Sequence, residues 1–195
     1  KPQIFDKVAA YCNAGLNIML FGPAGVGKSK LGEQIAKSMN KSFYMFSCAG
    51  GARYDQLFTS KDLVVNEDGT QKTINKPSEF LKKACSETPH IICIDEIFSL
   101  DSDASKGLNS LLEPNNRKIE TPAGTYELNP GTIIIATDNT SGRTLSKQYS
   151  GAQKQDDSLL DRFISLYMDY DIKVEKKILT KTGIDKEAKD YFINT

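Results

Sequence analysis

The residues Gly22-Pro23-Ala24-Gly25-Val26-Gly27-Lys28-Ser29 constrain this chain more than any other part of it. They follow an apolar run, 17–21, that reads as a buried strand, and they precede Leu31-x-x-x-Ile35-Ala36, which reads as a helix. The spacing G-x-x-x-x-G-K-[ST] between a strand and a helix makes a phosphate-binding loop. The glycines let the backbone turn tightly and aim its N–H groups inward, and the helix N-terminus adds partial positive charge where phosphates sit. In such a loop Lys28 reaches the β- and γ-phosphates and Ser29 ligates Mg²⁺.

Short apolar strands alternate with helical patterns along the rest of the chain, which argues for βαβ units and a mainly parallel sheet. The strands are expected at 17–21, 43–47, 91–94, 132–136 and 163–167, the third and fourth being nearly continuous β-branched runs suited to burial on both faces. Helices are expected at 28–39, 78–87 and 103–113, with Pro77 at a first helical turn. Two segments break the rhythm. The segment 63–74 places β-prone runs around Asp68-Gly69, a strong hairpin signal, and 117–128 reads as a second hairpin turning near Pro122-Ala123-Gly124. Insertions into a compact core often carry function, although ordinary surface hairpins have the same signature. The polar stretch 142–157 reads as a mobile loop. The Lys-rich segment 171–195 has a weak helical pattern at 187–192 and is too short to form a domain alone.

At 195 residues and 39% hydrophobic content the chain is sized for one compact α/β domain and the start of a second. Its 25 Lys and Arg balance 25 Asp and Glu, so no global basic field recruits nucleic acid or an acidic membrane, while a local basic patch stays open. No apolar run approaches a membrane span, and no signal peptide is visible. The chain opens at Lys1, so a missing N-terminal stretch is expected. The four cysteines (Cys12, Cys48, Cys85, Cys93) form no C-x-x-C pair, and His90 is the single histidine. A zinc site is therefore not expected, and reduced thiols in a cytoplasmic protein are. Cys93, inside the apolar run 91–94, reads as a small buried hydrophobe.

The run Ile91-Ile92-Cys93-Ile94 ends in Asp95-Glu96. Acids at the carboxyl end of a buried strand face a phosphate loop across the top of the sheet. Asp95 is expected to hold Mg²⁺, directly or through water, and Glu96 to polarise an attacking water. Alone, two adjacent carboxylates also suit a solvated strand end. The strand at 132–136 leads into Thr137-Asp138-Asn139-Thr140, where Asn139 can orient both water and γ-phosphate or simply serve a turn. Leu159-Leu160-Asp161-Arg162-Phe163 sets an arginine before the last strand. The chain has only four arginines (Arg53, Arg117, Arg143, Arg162), and Arg162 is the candidate for a transition-state finger, with Arg143 in reserve. An intramolecular pair with Asp157 or Asp161 is the structural alternative.

This ordered set resembles the core of an AAA+ ATPase over about residues 4–170. Gly22 to Ser29 resembles its Walker A motif, Ile91 to Glu96 its Walker B motif, Asn139 its sensor 1 and Arg162 its arginine finger. The two hairpins resemble the inserts of the MoxR-like and dynein-related branch, as do Ala136-Thr137-Asp138-Asn139-Thr140 and Leu160-Asp161-Arg162-Phe163. The stretch 141–161, with Tyr149-Ser150-Gly151-Ala152-Gln153, is similar to the small ATPase subunit of cobalt chelatase. The resemblance implies a three-layer α/β/α fold on a five-stranded parallel sheet, ATP and Mg²⁺ as ligands, and a homo-oligomeric ring, commonly a hexamer. It also implies a protein partner to remodel, with a von Willebrand-type protein as one candidate. The choice of adenine over guanine rests on this resemblance. No arginine follows Arg162, where the family's lid carries a sensor-2 arginine, so the lid is expected to be truncated or absent, with 171–195 as its start. Two other classes stay open. One is a nucleotide-gated assembly scaffold with slow hydrolysis. The other is a nucleic-acid motor using Lys72, Lys76, Arg117 and Lys118 near the hairpins.

Overall fold

The apolar run 91–94 sits in the middle of the molecule. In the computed structural model, which describes residues 4–66, 69–139 and 157–172, it forms part of a strand buried along nearly its whole length. In chain order the first half comprises α1 (Phe5–Asn13), β1 (Ile18–Phe21), α2 (Lys28–Ser38), β2 (Ser42–Ser47), α3 (Tyr54–Leu57), β3 (Thr59–Val65) and β4 (Gln71–Pro77). There follow α4 (Glu79–Ala84), β5 (His90–Asp95), a 3₁₀ turn (Ile97–Ser99), α5 (Ser102–Leu111), β6 (Lys118–Thr121), β7 (Gly124–Glu127), β8 (Ile133–Asp138), α6 (Asp157–Leu160) and β9 (Ile164–Tyr167).

The five expected core strands form one sheet in the order β2-β5-β8-β1-β9, with every pairing parallel. The central strands β5 and β8 are the β-branched runs, and both faces of each are covered. Alternation along them sorts the core into two layers. Ile18, Leu20, Ile91, Ile133 and Ile135 pack with Leu31 and Ile35 of α2 and Phe5 and Val8 of α1. Met19, Ile92, Ile94, Ile134 and Ala136 pack on the other face with Leu81 of α4, Leu108 of α5 and Phe58. The architecture is thus the expected α/β/α sandwich, carrying two antiparallel hairpins.

The hairpins differ in attachment. In β6–β7, Ile119 of β6 and Leu128 just after β7 are buried in the core, and Tyr54 Oη donates to Glu120 O at 3.1 Å. In β3–β4 nearly every side chain is exposed on both faces. This first hairpin is longer than expected, running from the pair Thr59–Pro77 to Val65–Gln71, because polar residues outside the apolar pattern extend the ladder. Pro77 is consequently not in a helix. It ends β4, and Ser78 caps α4 by accepting from Leu81 N at 3.1 Å. The helix α4 stops at Ala84, short of the expected 87. Sequence reading also missed α1, whose Phe5-Val8-Cys12 stripe is buried, and α3 and α6, four residues each and too short to show a period. The expected loop at 142–157 lies outside the described residues except for its last position, where α6 begins, and the pattern at 187–192 lies wholly outside them.

Candidate functional site

The loop between β1 and α2 is held from below. Gly22 has φ +151°, and a Cβ there would stand 1.9 Å from Met168 O. Only glycine lets the chain after β9 cross so closely, and Met168 N donates to Phe21 O at 2.8 Å in the same crossing. Gly27, at φ 89°, is the N-cap of α2, and its carbonyl takes the first helical bond, from Leu31 N at 2.9 Å. Tyr170 Oη donates to Ala24 O at 2.9 Å and ties the loop's outer rim to the same segment.

Lys28 begins α2 and is only 8% exposed. Its ammonium donates to Gly22 O at 2.9 Å, to Pro23 O at 2.8 Å and to Asn139 Oδ1 at 3.0 Å, which uses all three of its donors. Burial pushes its pKa down from the ordinary value, and the Asp95 and Asp138 carboxylates pull it back up. Beside it, Ser29 Oγ donates to Asp95 Oδ1 at 3.0 Å, and Thr137 Oγ1 donates to the same oxygen.

Register explains this convergence. Asp95 pairs with Thr137 across β5 and β8, and Phe21 pairs with Asp138 across β1 and β8, so three strands end level with one another. Two oxygens remain available for a cation. Ser29 Oγ keeps its lone pairs once its proton points at Asp95, and Asp95 Oδ2 makes no hydrogen bond among the described residues. A hydroxyl and a carboxylate this close are hard oxygen donors of the kind Mg²⁺ takes.

Glu96 adopts a left-handed conformation, φ 56° and ψ 49°, uncommon for a residue with a side chain. The strand breaks there into the 3₁₀ turn, and Ser99 N donates back to Glu96 O at 2.9 Å. The break separates the directions of the two adjacent acids. The Glu96 carboxylate has no hydrogen bond or ion pair among the described residues, so its acceptor oxygens are available to a water.

Arg162 is elsewhere. It precedes the edge strand β9, which pairs with β1 from Ile18–Ile164 to Phe21–Tyr167. It therefore lies at the amino end of the sheet while the phosphate loop lies at the carboxyl end, about 20 Å away at ~3.3 Å per strand residue. Among the described residues Asp161 is not its partner, and the Asp157 side chain lies outside them. Arg162 Nε donates to Asn109 Oδ1 at 2.9 Å, and Nη2 is ion-paired with Glu113. Arg143, Thr140 and the segment 149–153 lie outside the described residues.

Sequence reading passed over Thr137, Asp138 and Tyr170. The first two stand in the quoted A-T-D-N run, which was the available signal. Asp138 Oδ2 accepts from Phe98 N at 3.2 Å and so ties β8 to the turn after Glu96. Of the four hairpin cations, Lys76 is ion-paired with Asp62 and Lys118 with Glu127 at 3.3 Å. Arg117 Nη2 donates inward to Asn129 O at 3.4 Å. Burial raises all four thiols, Cys12 and Cys85 to about 11 and Cys48 and Cys93 to about 12. Among the described residues no helix is long and apolar enough to cross a membrane.

Comparison with known proteins settles the family. The profile of the AAA domain (dynein-related subfamily) matches residues 17–163, from the strand before the loop to the residue after Arg162. The chain belongs to that family. This AAA domain is 28% identical over 169 residues to an uncharacterized protein of Staphylococcus saprophyticus, covering 86% of this chain and 60% of that one. It is also 28% identical over 187 residues to an uncharacterized protein of Staphylococcus epidermidis, covering 95% and 66%. The chain thus spans about three-fifths to two-thirds of the length of these relatives. Among solved structures, NtrX from Brucella abortus in complex with ADP superposes with a TM-score of 0.65 at 16% identity, over 92% of this chain and 39% of that one. A RuvB mutant from Thermotoga maritima superposes with a TM-score of 0.59 at 18% identity, over 91% and 49%. At these identities the likeness is one of fold.

Proposed function

We propose that this AAA domain binds ATP with Mg²⁺ and hydrolyses it within a homo-oligomeric ring that remodels a protein partner. The observation that carries the reading is the cluster at the ends of β1, β5 and β8, where Lys28, Ser29, Asp95 and Asn139 are joined by hydrogen bonds of 3.0 Å. The loop Gly22 to Ser29 cradles the phosphates with backbone N–H groups. Lys28 exchanges its bonds to Gly22 O and Pro23 O for phosphate oxygens, which match its charge better than carbonyls do. Ser29 and Asp95 hold the metal. When bound, Mg²⁺ neutralises charge across the β- and γ-phosphates. Glu96 orients and deprotonates the attacking water, and Asn139 positions that water against the γ-phosphate. Residues 1–170 serve as the nucleotide-binding core and 171–195 as the start of a lid.

A protein partner is favoured over nucleic acid by the first hairpin. Leu63 and Val65 are 66% and 62% exposed on a strand that projects from the core, while three of the four hairpin cations are engaged within the chain. Steady-state phosphate release from the full-length protein, with and without Mg²⁺, tests the enzymatic reading. The full-length Glu96→Gln variant held in ATP, used as bait, tests for the partner. Absence of Mg-dependent release from assembled protein would refute hydrolysis.

A further inference from the structure

Arg162 does not hang free at the edge of the sheet. Its Nε donates to Asn109 Oδ1 at 2.9 Å, and its Nη2 is ion-paired with the Glu113 carboxylate. Asn109 is fixed in turn, because its Nδ2 donates to Ser158 Oγ at 3.0 Å. The arginine can only donate, so the amide must turn its oxygen toward Arg162, and the Ser158 hydroxyl accepts from the nitrogen on the other side. Asn109 lies in the last turn of α5, and Glu113 lies just past its C-cap, Leu112. The carbonyl end of α5 adds partial negative charge beside the guanidinium.

These contacts occupy one edge of the guanidinium, the Nε–Nη2 edge. A guanidinium carries five N–H donors, so the Nη1 side, turned away from α5, keeps donors with no partner among the described residues. Burial is partial, the Arg162 side chain being 23% exposed. A long arginine left alone samples many rotamers, and holding its inner edge removes that freedom before any ligand arrives. The outer edge is then presented in the planar form that suits bidentate contact with phosphate.

We propose that Asn109 and Glu113 are positioning residues that hold Arg162 poised for the γ-phosphate bound by a neighbouring copy of this chain. This rests on reading Arg162 as a finger acting in trans, which its place at the far end of the sheet from its own phosphate loop requires of any such role. The device is built into the fold, since residues on and just after α5, and Ser158 of α6, all contribute to it.

The test uses mixed assemblies of the full-length protein. Chains carrying Lys28→Ala are mixed with chains carrying Arg162→Ala, and phosphate release is measured across a range of ATP concentrations. Only an interface joining the finger of the first chain to the phosphate loop of the second can turn over. Asn109→Ala or Glu113→Gln is then added to the Lys28→Ala chain, whose own site is already disabled. The restored kcat should fall about ten- to a hundredfold, the usual cost of misplacing a reacting group by ~1 Å, with KM for ATP unchanged. The same substitutions moved to the Arg162→Ala chain should cost little by comparison. An unchanged or raised rate with the substitution in the finger-donating chain overturns the proposal, a raised rate making Glu113 a competitor for the arginine. Equal loss from either chain also overturns it, because that is what simple structural damage does. If the unsubstituted pair shows no rescue, while Mg-dependent hydrolysis by the wild type stands, the trans reading of Arg162 fails and this proposal with it.

Discussion

Ser29 and Asp95 lie 66 positions apart in the chain and share a hydrogen bond of 3.0 Å. One residue opens the helix after β1 and the other closes β5, two strands that do not touch because β8 runs between them. Thr137, at the end of β8, donates to the same carboxylate oxygen and bridges the gap. The candidate metal position is thus a property of three strands ending at one level.

Lys28→Ala should abolish nucleotide binding. The ammonium is buried, and its three bonds are to groups around the phosphate position. Hydrogen bonds to charged groups contribute roughly 1.5–3 kcal/mol each, so affinity should weaken by about a hundredfold or more. Titration with a fluorescent ATP analogue measures it, and retained affinity would remove Lys28 from the phosphate contacts.

Glu96→Gln should leave binding intact and stop turnover. The carboxylate makes no bond that the fold needs, and the amide keeps its shape while losing basicity. A loss of about 10²–10⁴ in kcat is expected for removal of a general base. An undiminished rate in the purified variant would assign water activation to another group.

Gly22→Ala and Gly27→Ala should differ in cost although both glycines have positive φ. At Gly22 the new methyl meets the Met168 carbonyl at 1.9 Å, and backbone must move. At Gly27 nothing lies within 4 Å, so the penalty is conformational only, about 1–2 kcal/mol. Overpacking at Gly22 adds roughly 1–3 kcal/mol to that, so its melting temperature should be the lower by several degrees. Thermal melts of the two variants side by side check this, and equal melting temperatures would contradict the close crossing.

The thiols set an alkaline limit. Burial raises Cys48 and Cys93 from 9.0 to about 12, so the folded chain keeps those protons where the unfolded chain has lost them. The stabilisation is fully present below about pH 9 and is lost as pH rises from there toward 12. Melting temperature should therefore fall across that window, and less steeply in Cys93→Ala. In the same picture a thiol reagent at pH 8 should leave Cys12, Cys48 and Cys93 unmodified until denaturant is added.

Contiguous features were legible without coordinates. The phosphate loop is a run of neighbours whose glycines and lysine carry their own geometry, and the strands announce themselves by runs of β-branched residues. Both hairpins and the sheet's parallel character follow from the same local signals. Tertiary structure alone decided what depends on register and on close approach. Thr137 joined the Asp95 carboxylate because β5 and β8 pair level, and Asp138 reached Phe98 N because β8 outruns the start of the turn after Glu96. Gly22 has no room for a side chain because Met168 crosses it from 146 positions away. Arg162 found Asn109 and Glu113 where sequence offered the nearer Asp161, because α5 packs against α6 beside the edge strand. A hydrogen bond weakens steeply over a few tenths of an ångström, whereas composition and periodicity are insensitive to displacements of that size.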